Sequence, residues 1–116
     1  MLKLGPAKKI VIHLNEDTSS SRDYIYREIF SFLLEQGVAG ATLMRPEAGF
    51  GAHHRVHSQD GEGVEGQHLP VRIEFIESAE RLDALLPELL RLTTDGLIEA
   101  QDTTILKLAR TESEPF

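Results

Sequence analysis

Apolar and polar side chains follow two different periods along this chain. Alternation with a period of two, around β-branched residues, predicts strands, and it occurs four times, in residues 8–14, 38–45, 69–76 and 103–108. Apolar residues recur at helical spacing in residues 22–36 and 79–92, which predicts two amphipathic helices. Pro87 lies inside the second helical stretch and predicts either a kink or a second helix start.

The predicted order is strand, helix, strand, strand, helix, strand. This order is typical of an α+β, ferredoxin-like βαββαβ sandwich, in which two helices cover one face of a four-stranded antiparallel sheet. The other face would carry a mixed set of side chains, namely Val11, Arg72, Ile76 and Lys107. We expect another copy of the chain to cover a face that is partly apolar.

Composition narrows the class of protein. The 116 residues fit a single domain, which we expect to have its core at residues 8–110 and a flexible tail at 111–116. There is no Cys, so neither a disulfide nor a thiolate ligand is available. A net charge of −7 argues against general binding of nucleic acid. With no apolar run of signal-peptide or membrane-span length, we expect a cytoplasmic protein.

A long loop, residues 46–69, separates the second and third predicted strands. Loops of this length are uncommon in compact domains unless they are functional or disordered. Gly49, Phe50 and Gly51 could direct backbone N–H groups at an anion, or could form a plain turn. Arg45 and Arg55 flank them and suit bidentate recognition of phosphate or carboxylate, although a surface ion pair is the simpler interpretation.

Three histidines in the same loop allow a different hypothesis. His53 and His57 are four residues apart, so they would share one side of a helical turn, and His54 lies beside them. Neutral imidazole is a ligand for zinc, nickel, copper or iron, which makes metal binding or metal sensing the alternative function. Solvated histidines in a polar loop remain the simpler explanation.

Signals for catalysis are weak. Hydroxyl residues occur together at residues 18–21, but no nucleophile-elbow motif surrounds them. No pair of carboxylates has a spacing that would select it for acid–base chemistry. We therefore expect neither an enzyme nor a bound cofactor.

Residues 37–57 resemble the signature of an uncharacterised bacterial family, number 190 among the domains of unknown function. The matching positions are Gly37, Gly40-Ala41-Thr42, Arg45, Gly49-Phe50-Gly51 and Val56-His57. Val38 stands where that family usually has Ile or Leu. The likeness continues over roughly residues 8–108.

That family is similar to the PII signalling proteins, and the resemblance implies a homotrimer with ligand clefts between subunits. It also implies a loop after the second strand that reports the ligand state to a partner, with a membrane transporter as a candidate. Our own hypothesis is that a small anionic ligand, with nucleotides as candidates, lies in such a cleft near Arg45, Gly49–Gly51, Arg55 and His57. The Gly/Lys-rich phosphate loop of PII proteins has no match in residues 93–104, which contain one Gly, three acids and no Lys or Arg.

Overall fold

The structure is a computed structural model that describes residues 2–20, 22–46 and 69–109, and the backbone of residues 48–49 and 57–58. Its elements in chain order are β1 (Gly5–Asn15), α1 (Ile25–Glu35), β2 (Ala41–Met44), β3 (Ala48–Gly49), β4 (His57–Ser58), β5 (Pro70–Glu77), α2 (Ala79–Leu92) and β6 (Gly96–Ile105).

Strand β1 is the centre of the main sheet. The strand order is β2-β5-β1-β6, and all three neighbouring pairs are antiparallel. Side chains of both helices belong to one apolar cluster with alternate residues of β1 and β5, so both helices cover the same face. The predicted α+β ferredoxin-like sandwich is confirmed.

The core follows directly from the period-two pattern. Ile10, Ile12 and Leu14 of β1 point to the helices and are almost completely buried. Their partners across the ladder, Phe75, Ile73 and Val71, are buried as well. The helices contribute Ile25, Tyr26, Ile29, Leu33, Leu82, Leu85, Leu89 and Leu92. Burial of each such side chain contributes about 1.5–3 kcal/mol, and this face therefore fixes the position of both helices.

The two helices begin differently. Ser78 caps α2, because its hydroxyl accepts a hydrogen bond from the Arg81 N–H at 3.1 Å. Helix α1 follows Tyr24, which makes no side-chain cap. Ser20 orders the preceding turn instead: its hydroxyl donates to Glu28 at 2.7 Å and accepts from the Arg22 N–H at 3.1 Å. The turn before α1 is therefore held by side chains.

The structure corrects the prediction for the last strand. Strand β6 is Gly96–Ile105, whereas the sequence pattern predicted residues 103–108. Lys107 consequently lies beyond the sheet. The connection between α2 and β6 is only residues 93–95, so most of the segment that we compared with the PII phosphate loop is strand. The cause is pairing of residues 96–105 with β1, which overrides their weak strand propensity.

Two further differences concern Pro87 and the long loop. Helix α2 runs from Ala79 to Leu92 as one element with Pro87 inside it, so the second helix start does not occur. Within residues 46–69, β3 and β4 pair as a short antiparallel ladder that the sequence did not predict. The ladder places Gly49 opposite His57.

Replacing Gly96 with Ala should destabilise the fold, because the added Cβ would meet the main-chain oxygen of His13 and the Leu14 side chain. We expect a loss of about 1–3 kcal/mol in the free energy of unfolding, measured by urea denaturation. Gly40→Ala is the control, because a Cβ there meets nothing within 4 Å in the described chain. Equal stability of the two variants would contradict the close packing of β6 on β1.

Candidate functional site

Several connections meet at one end of the sheet. The register pairs Asn15 with Pro70 and Leu14 with Gly96, so β1 ends where β5 and β6 begin. Strand β2 ends at the same place, because Met44 pairs with Arg72 of β5. The described residues on either side of 47–68, Pro46 and Leu69, therefore lie next to this end of the sheet. A side-chain cluster at this end is in a position to influence that segment.

The cluster is built around the hydroxyl of Tyr26, in the first turn of α1. Arg27 donates a hydrogen bond from Nε to Tyr26 Oη at 3.2 Å. Arg45, just after β2, directs Nη2 at the same oxygen at 3.5 Å, which is a long hydrogen bond. Tyr26 itself is 8% exposed, so its ring is held by the core while its hydroxyl is held at the surface. Two cationic groups therefore converge on one fixed oxygen.

Aromatic rings support both guanidinium groups. The rings of Tyr24 and Tyr26 stack with centroids 6.2 Å apart and an angle of 20° between their planes. The Arg27 guanidinium carbon lies 5.3 Å from the Tyr24 centroid and 5.7 Å from that of Tyr26. Arg45 lies 5.6 Å from the Tyr26 centroid. These distances are within the range of cation–π attraction, which contributes to the positioning of both cations.

Two carboxylates stand beside the cations. Asp23 lies 3.8 Å from Nη1 of Arg27, and Glu16 lies 3.6 Å from Nε of Arg45. Both separations exceed hydrogen-bond length, so these are loose ion pairs. The pKa of Arg27 is raised, chiefly because its guanidinium donates to Tyr26 Oη, with a smaller contribution from Asp23. Arg27 therefore stays charged at any physiological pH.

This arrangement favours an anionic ligand. Guanidinium groups present fixed forks of N–H donors that match phosphate and carboxylate oxygens. A cluster with two such groups, one of which has a distant carboxylate and a tyrosine hydroxyl as its polar partners among the described residues, has the donors for that task.

The predicted site residues have different outcomes. Arg45 lies in the cluster. Gly49 and His57 face each other in the β3–β4 ladder, which brings two predicted positions together through their backbone. The other predicted positions, Phe50, Gly51, His53, His54 and Arg55, lie outside the described residues. Their roles as anion or metal ligands stay predictions.

Sequence reasoning missed Arg27, Tyr26 and Glu16. Arg27 lies on the exposed side of a helix, where a charged residue is ordinary and carries no signal. The available hint was the Tyr24-Ile25-Tyr26-Arg27 run at a helix start. The sequence does not show that Arg45, which follows β2, lies next to this run, and that contact is what makes it a candidate site.

A groove of about 520 Å³ lies on the sheet face away from the helices. Its lining mixes charged, polar and apolar side chains, including Lys9, Thr42, Met44, Glu74 and Ile76. Glu74 bridges two cations, with Lys9 Nζ at 3.3 Å and Arg72 Nη2 at 3.4 Å. The charges on this face are therefore paired with one another.

The described residues contain neither a membrane-spanning helix nor a cluster of metal ligands. Neither helix that the structure describes is long and apolar enough to cross a bilayer. Within residues 2–20, 22–46 and 69–109, no group of three acidic, His or Cys side chains could hold a metal ion.

The model of the DUF190 family, described as an uncharacterized ACR, matches residues 7–105. The chain belongs to this family. A UPF0166 protein of Methanocaldococcus jannaschii is 28% identical to this DUF190 chain over 102 residues, which cover 87% of the chain and 93% of that protein. A UPF0166 protein of Aquifex aeolicus is 28% identical over 107 residues, covering 92% of the chain and all of that protein.

Solved structures with the same fold come from PII-like proteins. CPII, a nitrogen regulatory PII-like protein from Thiomonas intermedia K12, has a TM-score of 0.65 and 19% identity over 92% of this chain and 94% of its own. That structure holds ADP, AMP and bicarbonate. A candidate PII-like signaling protein from Thermus thermophilus has a TM-score of 0.62 and 17% identity over 90% of this chain and 94% of its own. The DUF190 chain thus has a PII-like fold.

Tyr26→Phe should lower the free energy of unfolding by about 1 kcal/mol, because it removes the oxygen to which both arginines donate while keeping the ring. Urea denaturation measures the change. Tyr24→Phe is the matched control, since in the described chain the Tyr24 hydroxyl makes no hydrogen bond and only its ring is in contact. If the two variants were equally stable, the Tyr26 hydroxyl would not organise the cluster.

Proposed function

We propose that this chain is a PII-like, non-enzymatic regulatory protein of the cytoplasm, which assembles as a homotrimer and binds a small anionic ligand, with nucleotides as the first candidates. The observation that carries the proposal is the convergence of Arg27 and Arg45 on Tyr26, at the point from which residues 47–68 leave a PII-like fold.

The composition of the open sheet face supports assembly into a trimer. Ile76 lies there, and Leu97 is 54% exposed on it, opposite His13. Charged groups on this face are paired: Glu74 pairs with Lys9 and Arg72, and His13 Nε2 lies 2.7 Å from Glu99. Covering paired charges costs less than covering isolated ones, so a second copy can bury this face.

The ligand would lie in a cleft between subunits, next to the end of β2. We assign it to Arg45, Gly49, Phe50, Gly51 and His57, which are positions of the family signature, and to Arg55, which flanks them. The short connection at residues 93–95 and the strand that follows it hold no Lys or Arg as far as residue 105. Phosphate or carboxylate oxygens would therefore depend on cations outside that segment, with Arg45 and Arg55 among the assigned positions and Arg27 beside Arg45.

Ligand binding would change the order of residues 47–68 and present them to a partner protein, for which a membrane transporter is the first candidate. Order–disorder change of one segment is a common switching mechanism, and a ligand can drive it only if it binds one state more tightly. Arg45 is two residues before the segment, so a ligand bound to Arg45 would be near enough to contact one state of the segment and not the other. No observation favours metal binding by His53, His54 and His57, which stays a separate prediction.

Light scattering should give three times the mass of one chain, and Leu97→Glu should lower it by placing a charge on the buried face of the trimer. The matched control is Leu90→Glu on α2, because Leu90 is 60% exposed but lies in the helix layer. A monomer mass for the unaltered chain, or an equal effect of both variants, would contradict trimer assembly through the open sheet face.

ADP, AMP or bicarbonate should raise the melting temperature of the intact protein. A ligand at about 100 times its Kd stabilises the native state by about 2.7 kcal/mol, which a thermal-shift assay detects readily. Arg45→Gln should remove the effect, whereas Arg91→Gln should preserve it, because Arg91 pairs with Glu88 on the exposed side of α2 at 2.8 Å. An intact trimer that none of the three compounds stabilises would contradict the proposed ligand class.

A further inference from the structure

We propose that Arg27, Tyr26 and Arg45 form an oxyanion site within one chain, and that the Glu16 carboxylate is the group that the incoming oxyanion replaces. This inference rests on the proposed function for the anionic class of the ligand. It adds Arg27 on α1 as a binding residue and Glu16 as an internal competitor for Arg45. It also connects the site to the residues that flank 47–68.

The geometry suits an anion that spans both guanidinium groups. Nε of Arg27 and Nη2 of Arg45 lie 3.2 and 3.5 Å from the same Tyr26 oxygen, so the two nitrogens are close neighbours. Charge-assisted N–H···O bonds are about 2.8 Å long, and a phosphate or pyrophosphate group offers several oxygens for two such bonds. Cation–π contacts with Tyr24 and Tyr26 hold the Arg27 guanidinium group close to the Tyr26 hydroxyl before a ligand binds. Pre-positioned donors reduce the entropy that binding costs.

Glu16 is placed as an internal competitor. Its carboxylate is 3.6 Å from Nε of Arg45, which gives attraction without a hydrogen bond. Its Oε1 is buried, and in the described chain no donor reaches it. A buried carboxylate oxygen that accepts no hydrogen bond raises the free energy of the folded state. An oxyanion that makes true hydrogen bonds to Arg45 would therefore displace Glu16 at little cost.

Glu16 also connects the two ends of residues 47–68. Its side chain pairs with Arg45, which precedes the segment, while its backbone N–H donates to the Leu69 oxygen at 2.7 Å, directly after the segment. Glu16 therefore contacts residues on both sides of the segment. Loss of its Arg45 contact on binding would leave its Leu69 contact in place, which couples the anion site to the proposed signalling segment.

Pyrophosphate binding to the full chain, measured by isothermal titration, tests the inference. Arg27→Gln should weaken the affinity about tenfold, the equivalent of one charge-assisted hydrogen bond, and Arg27→Lys should weaken it as well because the planar fork is lost. Glu16→Gln should strengthen the affinity by about three- to tenfold, because the competing charge is gone while the side chain keeps its size.

Matched controls separate local effects from a change in net charge. Arg91→Gln and Glu88→Gln make the same charge changes on the exposed side of α2, and both should leave the affinity unchanged. The inference is overturned if Glu16→Gln does not strengthen binding, if folded Arg27→Gln and Arg27→Lys bind like the unaltered chain, or if Glu88→Gln strengthens binding equally.

Failure of the oxyanion site and failure of the proposed function give different experimental results. Pyrophosphate binding that responds to Arg27 and Glu16 in a chain that is monomeric, or is not stabilised by nucleotide or bicarbonate, would support the oxyanion site alone. If a trimer binds nucleotide and substitution of Arg27 or Glu16 does not change the affinity, the oxyanion site is overturned and the regulatory function is supported.

Discussion

The pairing of β1 with two neighbours is the constraint on which the rest of the structure depends. Eight residues of β1 pair with β5 and ten pair with β6. Its alternate side chains, Ile10, Ile12 and Leu14, are buried beneath both helices. Since β1 and β2 run in the same direction, the turn before α1 and the start of residues 47–68 emerge at one end of the sheet. The cluster is a consequence of that topology.

The site combines a rigid part and an adjustable part. Tyr26 is rigid because its ring belongs to the core, and it presents one hydroxyl at the surface. The side chains of Arg45 and Glu16 are adjustable because, among the described residues, a long hydrogen bond, a cation–π contact and a loose ion pair tie them to the cluster, and each of these is weak. A ligand can rearrange such contacts without disturbing the fold. This division is what a binding site that controls a neighbouring segment requires.

The fold could be predicted from the sequence because apolar residues recur at regular spacing in the strands and helices that form the core. It misplaced β6 because residues 96–102 are mostly exposed on an edge strand, and their pairing with β1 leaves little pattern in the side chains. It identified Arg45 through the loop motif. It could not identify Arg27, because an exposed helical arginine becomes informative only when another element brings a second cation to it.

The central claim is that Arg27 and Arg45 bind one oxyanion together. It is tested most directly by following the Nε–H signals of the two arginines by NMR while pyrophosphate is added to the full-length protein. The account predicts that both signals shift along one saturable curve with a single affinity. Shifts that follow different affinities, or a response of only one of the two arginines, would contradict it.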